Sequence, residues 1–207
     1  INIGIKKNKL YVLSDGHGNK TNNVSDSINK YNKMLKKRGK LKIGYFGKLS
    51  DEKGLGILES LIYRYHENID FHIYALNSKK LKHMPCILKK IKHSEVFCEM
   101  KKMDILLYVT NLNKSNSHSR YTSPLKIYEY ISSLRPILFM PAGDLKEELK
   151  NTISMSFINS DDFSESLRRI FVLNNPAKLI ENTYQLSLKK TWDNRAENIK
   201  KIISNQF

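Results

Sequence analysis

Residues 42–68, "KIGYFGKLSDEKGLGILESLIYRYHEN", decide the fold. The segment opens on a short run of strand formers, "KIGYF", that stops at Gly47, so it predicts a buried strand closed by a glycine turn. From Leu55 the period changes. Leu55, Ile57, Leu58, Leu61, Ile62 and Tyr65 fall on one helical face, which predicts an amphipathic helix. A strand, a glycine turn and a helix are the opening of a βαβ unit.

The pattern repeats outward. "IDFHIYAL" (69–76) predicts the next strand. "LKHMPCILKKI" (81–91) is broken by Pro85 and predicts linking structure with a short strand or helix. "HSEVFCEMKKM" (93–103) is a short helix, and "DILLYVT" (104–110) a strand without alternation, as expected when both faces are buried. A polar loop, "NLNKSNSHSRY" (111–121), leads to a helix over Pro124–Leu134, a strand "RPILFMP", a short helix "DLKEELK" and "SMSFI". Three helical stretches follow Asp161. Upstream, "KLYVLSDG" (9–16) predicts a strand ending in an Asp-Gly turn, and residues 17–30 a polar, irregular stretch. Strands alternating with helices imply an α/β domain with a doubly wound, mostly parallel sheet, carrying extra C-terminal helices.

Ligands of such sheets bind outside the carboxyl ends of the strands. That rule brings together Gly47–Gly54, Thr110–Tyr121 and the start of the helix at Pro124. The first loop offers Gly44, Gly47, Lys48, Lys53 and Gly54 between strand and helix. Its spacing matches neither a GxGxxG fingerprint nor a P-loop. A glycine turn, two lysines and a helix N-terminus favour an anion, although a plain turn with solvated lysines has the same composition. In the third segment Thr122 or Ser123 can cap the helix and Pro124 suits its first turn. Lys126 then lies in that turn, where the helix dipole disfavours a cation, and a bound anion would account for it. Glu129 shares a face with Lys126 and can accept hydrogen bonds from vicinal hydroxyls; an ordinary Lys–Glu pair on a helix surface is the alternative.

The formal charge of +16 over 207 residues fits either compositional drift, since the chain is rich in Lys, Asn and Ile throughout, or anionic partners, and most of the cations are Lys. Phosphorylated substrates or an anionic membrane face suit this better than nucleic acid, whose readers favour Arg. No apolar run approaches the roughly 20 residues that cross a bilayer. The start lacks the features of a signal peptide, and the chain begins on Ile1 rather than Met, so a cytoplasmic fragment is expected. Cys86 and Cys98 have no metal-like spacing and are expected as free thiols. The histidines are scattered, with His17 and His118 near predicted strand ends, and no metal site is expected. Trp192 is expected as a packing anchor.

"KIGYFGKLSDEKGLGILESL", "MDILLYVT", "SPLKIYEYISSLRPILFMPAGDLKEEL" and "TWDNRAENI", in this order, resemble the C-terminal domain of retaining glycosyltransferases of the GT-B fold, the group typified by family 4. "LYVLSDGHGN" resembles the interdomain segment before that domain. The resemblance implies one Rossmann-like half of a GT-B fold. It divides the chain into a lead-in over 1–40, a nucleotide-sugar-binding domain over 41–190 and a C-terminal helix over 191–207. It also implies a nucleotide-diphosphate sugar donor such as a UDP- or GDP-sugar and no metal cofactor. The acceptor, a glycan or lipid-linked glycan of the kind that builds bacterial surface polysaccharide or lipopolysaccharide, would be received by an N-terminal domain that this chain does not contain. Gly47, Lys48, Lys53, Ser123, Leu125 and Lys126 correspond to the pyrophosphate site, and Glu129 to the ribose-binding acid. The family usually has Arg where Lys48 stands. Tyr121 occupies the place of a glutamate near the donor sugar in many members, so Tyr121 and Thr122 are the candidate sugar contacts and the catalytic group is unassigned. Leu134 replaces a common glycine. The competing function is a non-catalytic basic module that binds anionic membrane or nucleic acid; a third is a transferase domain that keeps the fold without activity.

Overall fold

The strand over Leu41–Phe46 (β1) is the centre of the molecule, and its side chains divide between the two faces of the sheet. Ile43 and Tyr45 enter one apolar core, Phe46 the other. The computed structural model describes residues 11, 13, 15–75, 78–112 and 124–204. Around β1 stand β2 (Ile69–Tyr74), β3 (Ile87–Lys89), β4 (Ile105–Tyr108), β5 (Ile137–Phe139) and β6 (Ser154–Ser156). All pairings are parallel, in the order β3-β2-β1-β4-β5-β6. The chain therefore winds outward from β1 to β3 and then returns to the other side of β1. The order reverses between β1 and β4, and a crevice opens at their carboxyl ends.

The helices are α1 (Val24–Leu35), α2 (Leu55–Tyr65), α3 (His93–Lys102), α4 (Leu125–Ser133), α5 (Leu145–Glu148), α6 (Ser160–Phe171), α7 (Pro176–Lys189) and α8 (Trp192–Ser204). They cover both faces. Leu58, Leu61 and Ile62 of α2 and Phe163 of α6 pack with Ile43 and Phe71 on one side. Ile127, Tyr130 and Ile131 of α4 pack with Leu106 and Ile137 on the other. In β4 this alternation explains the unbroken apolar run: Ile105 and Leu107 serve the first core, Leu106 and Tyr108 the second. Side chains of successive strand residues point to opposite faces, so a strand buried on both needs apolar residues throughout.

Residues 17–30 correct an expectation. They contain the start of α1, capped by the Asn23 side chain accepting from Asp26 N, with Tyr31 and Met34 buried. Only a thin stripe of Val24, Ile28, Tyr31 and Met34, set among Asn, Ser and Lys, marks this amphipathic face. The described residues within 9–16 form no strand; the segment instead touches the C-terminal helices through a bridge between His17 and Thr191. Trp192 is 43% exposed and carries the Arg195 guanidinium over its ring, so it is a surface residue rather than a core anchor. Leu134 ends α4 in the left-handed region (φ 54, ψ 29) with its side chain buried. A glycine adopts that cap conformation without strain, whereas Leu134 offsets the strain by filling the core.

Candidate functional site

Three segments meet at the carboxyl ends of β1 and β4. The first leaves β1 at Gly47, whose N–H donates to Tyr74 O at 3.0 Å. Gly47 has φ +146, a conformation that residues with side chains rarely adopt, and a Cβ built there would stand 2.3 Å from Lys126 Nζ and displace the end of that lysine. The Tyr45 hydroxyl donates to Lys48 O at 2.9 Å and holds the loop over the strand end. A short 3-10 turn over Asp51–Lys53 follows, then Gly54 with φ +77, where a Cβ would come within 2.8 Å of Thr110 N. The second segment packs against it: Asn111 N–H donates to Glu52 O at 3.2 Å. The two loops are thus tied to each other before any ligand arrives.

The third segment is the first turn of α4. Its N-cap is Pro124, with no side-chain cap hydrogen bond, later than the expected cap at Thr122 or Ser123. Pro124 therefore sits at the cap rather than inside the first turn. Leu125 is the exposed first helical residue, and within that first turn Ile127 N–H donates to Pro124 O at 2.9 Å. Tyr121, Thr122, Ser123 and His118 lie outside the described residues.

Lys126 and Glu129 are half-buried, Lys53 is half-buried, and Lys48 is exposed. Lys48, Gly47, Lys126 and Glu129 line one cleft of about 690 Å³. Burial pulls the Lys126 ammonium down to about 8, the nearby Lys53 charge adds to this, and Glu129 opposes it. Burial pushes the Glu129 carboxyl up, against the pull of His93 and Lys126. The cleft thus concentrates positive charge near one partly desolvated acid, a combination that suits a ligand bearing both phosphate and hydroxyl groups.

The far wall of the cleft was not foreseen. Lys90, Ile91, His93 and Val96 line it because β3 pairs with β2 and delivers α3 to this edge. The sequence carries no local signal for that pairing, and Pro85 masks the strand. Beneath the cleft, Phe46 and Tyr74 stack with ring centroids 4.3 Å apart and planes at 2°. The buried Tyr130 hydroxyl accepts from Phe46 N at 3.1 Å and donates to Leu107 O at 3.2 Å, bridging β1 and β4 where the cleft opens.

The other sequence candidates lie elsewhere. His17 is buried and its Nε2 bonds Ser187 O at 3.2 Å and Ser187 Oγ at 3.0 Å, so it anchors the lead-in to α7. Asp161 and Asp162 open α6, where Asn159 caps both of their N–H groups. Among the described residues no cluster of His, Cys, Asp and Glu has metal-binding geometry, and both cysteines are free thiols.

No family model and no curated protein matches the chain. Solved structures match its fold. The E. coli trehalose-6-phosphate protein bound with UDP-2-fluoro glucose is similar with a TM-score of 0.57 and 12% identity, over 87% of this chain and 50% of that one. An alpha,alpha-trehalose-phosphate synthase (UDP-forming) from Burkholderia xenovorans, in complex with glucose-6-phosphate, has a TM-score of 0.58 and 12% identity over 86% of this chain and 46% of that one. The C-terminal domain of a glycosyl transferase group 1 family protein (LpcC) from Francisella tularensis has a TM-score of 0.53 and 15% identity, over 86% of this chain and 95% of that one. The chain spans about half the length of the first two. Its fold is that of a C-terminal GT-B glycosyltransferase domain.

Proposed function

We propose that this chain is the donor-binding half of a glycosyltransferase, and that the cleft between the ends of β1 and β2, the segment from β3 into α3, and α4 holds a nucleotide-diphosphate sugar. One observation carries this reading: Gly47, Lys48, Lys126 and Glu129 line the same cleft, with Lys53 close enough to act on Lys126, at the carboxyl end of β1, the strand from which the order reverses. Lys48, Lys53, Lys126 and the start of α4 would face the pyrophosphate. As the glycosidic bond to the diphosphate breaks, negative charge grows on the leaving group, and fixed cations stabilise it most in that transition state. In this reading the lysines do what a divalent cation does in other transferases. Glu129 would accept hydrogen bonds from the ribose hydroxyls, and its ionised form has both oxygens free to accept.

Retention of configuration, a glycan or lipid-linked acceptor held by a second domain, and a cytoplasmic site near an anionic membrane face belong to the same proposal. The sugar contact is assigned to the segment of Tyr121 and Thr122. The likeness to proteins bound with a UDP-sugar analogue and a sugar phosphate supports the ligand class. Titration calorimetry with UDP, GDP and ADP tests the reading. Binding of one of them, weakened by both Lys126→Ala and Glu129→Ala, is the expected result. No binding of any at millimolar concentration, or binding indifferent to both substitutions, refutes it.

A further inference from the structure

The Lys126 side chain runs from the first turn of α4 back across the end of the sheet. Its Nζ lies 4.7 Å from the centroid of the Tyr45 ring and 5.8 Å from that of Tyr108. Tyr45 comes from β1 and Tyr108 from β4, so the two rings flank the place where the strand order reverses. The third side is Gly47, where a Cβ would stand 2.3 Å from Nζ and 3.0 Å from Cε. No carboxylate of the described residues forms an ion pair with Lys126.

We propose that Tyr45, Tyr108 and the bare backbone of Gly47 form a seat that positions the Lys126 ammonium at the mouth of the cleft. The tyrosines are positioning residues that act through the lysine. The inference rests on the cleft being a nucleoside-diphosphate site, and it adds the groups that aim its lysine. The physical reason lies in what an aromatic face does to a cation. A carboxylate beside Lys126 would hold the ammonium but would also neutralise it and compete with phosphate. A ring face attracts the cation through its quadrupole and leaves the full charge for an incoming anion. The Tyr45 hydroxyl is engaged with Lys48 O, which fixes the ring. Burial keeps the Tyr45 phenol well above its ordinary range, so the ring stays neutral. The seat also matters because burial and Lys53 work against the charged lysine, and the rings offset part of that.

The full chain is tested with two readouts. In proton NMR, with Lys126 assigned by its loss in Lys126→Ala, the Hε protons are expected upfield of ordinary lysines through the ring currents. They keep that position in Tyr45→Phe and lose it in Tyr45→Leu. In calorimetry with UDP, GDP and ADP, Tyr45→Leu is expected to bind about tenfold more weakly, while Tyr45→Phe, which keeps the ring face but loses the bond to Lys48 O, is expected to lose clearly less than Tyr45→Leu. Should Tyr45→Leu fail to fold, Tyr108→Leu carries the same test in the same direction. Ordinary Hε shifts in the wild type overturn the seat. So does wild-type nucleotide binding with unaltered affinity in the leucine variants, and this leaves the donor-site reading standing. Failure of all three nucleotides to bind the wild type overturns the reading of the cleft, and with it the seat's role toward a diphosphate.

Discussion

Helix α4 has a perturbed cation near each end: half-buried Lys126 in its first turn, at the carboxyl edge of the sheet, and buried Arg135 just past its end, at the amino edge. Burial disfavours both charges, pulling Lys126 down to about 8 and Arg135 down to about 10. Their surroundings differ. Arg135 is 3% exposed, donates to Ser27 Oγ at 3.4 Å and sits in the field of Asp104 and Asp26. Asp104 in turn accepts from Lys42 N at 2.9 Å and pairs with Lys37. Lys126 has aromatic faces and an open cleft instead. A perturbed cation is therefore not by itself a mark of function. Access to a cavity distinguishes the two.

The contrast breaks most readily at Arg135. Arg135→Ala leaves the Asp104 cluster without its guanidinium and removes a buried stem, and it is expected to lower the unfolding free energy by about 3 kcal/mol in urea titrations. Nucleotide affinity of the folded fraction should not change; a specific loss of binding would erase the distinction. Lys126→Ala is the opposite case. Its unfolding midpoint should stay close to wild type, while nucleoside-diphosphate affinity falls about thirtyfold, the weight of a charge-assisted hydrogen bond to phosphate.

A pH series sharpens the comparison further. Free Lys126 loses its proton as pH rises through about 8, whereas a bound diphosphate stabilises the ammonium. Affinity is thus expected to begin falling as pH passes about 8, and Lys126→Ala should lack this fall. Calorimetry at several pH values checks it. The smallest effect concerns His72 on β2, a buried base whose ring nitrogens have no hydrogen-bond partner and whose ring stacks with Tyr74. Its pKa lies below 6.5 through burial, then through Lys89 and Lys42. The unfolded chain takes up this proton first, so stability is complete above 6.5 and declines as pH falls below it. His72→Leu should flatten part of that decline in acid unfolding curves, with His17, also lowered by burial, accounting for some of the remainder.

Much of this molecule was legible from residue order. The switch from strand to helix period at Gly47–Leu55 located β1 and α2, and the unbroken run at Ile105–Tyr108 located a strand buried on both faces. Gly47, Lys48, Lys126 and Glu129 were named before their proximity was visible, because the carboxyl-end rule for parallel sheets needs only the order of elements. What escaped was α1, whose apolar stripe is thin, and the wall from Lys90 to Val96, which depends on a short strand behind a proline. Tyr45 and Tyr108 could be recognised as strand residues but not as partners of a lysine far along the chain.

The sequence alone determined the repeating strand–turn–helix units and the chemistry of the residues at their ends. Periodicity and glycine punctuation act over a few neighbouring residues and can be read locally. Only the tertiary structure decided that β4 returns to the far side of β1, which carbonyls and hydroxyls tie the loops together, and that the Lys126 ammonium lies against Gly47. Those outcomes depend on pairing and packing between segments distant in the chain, where a few ångströms separate a sealed cation from one that faces a cleft.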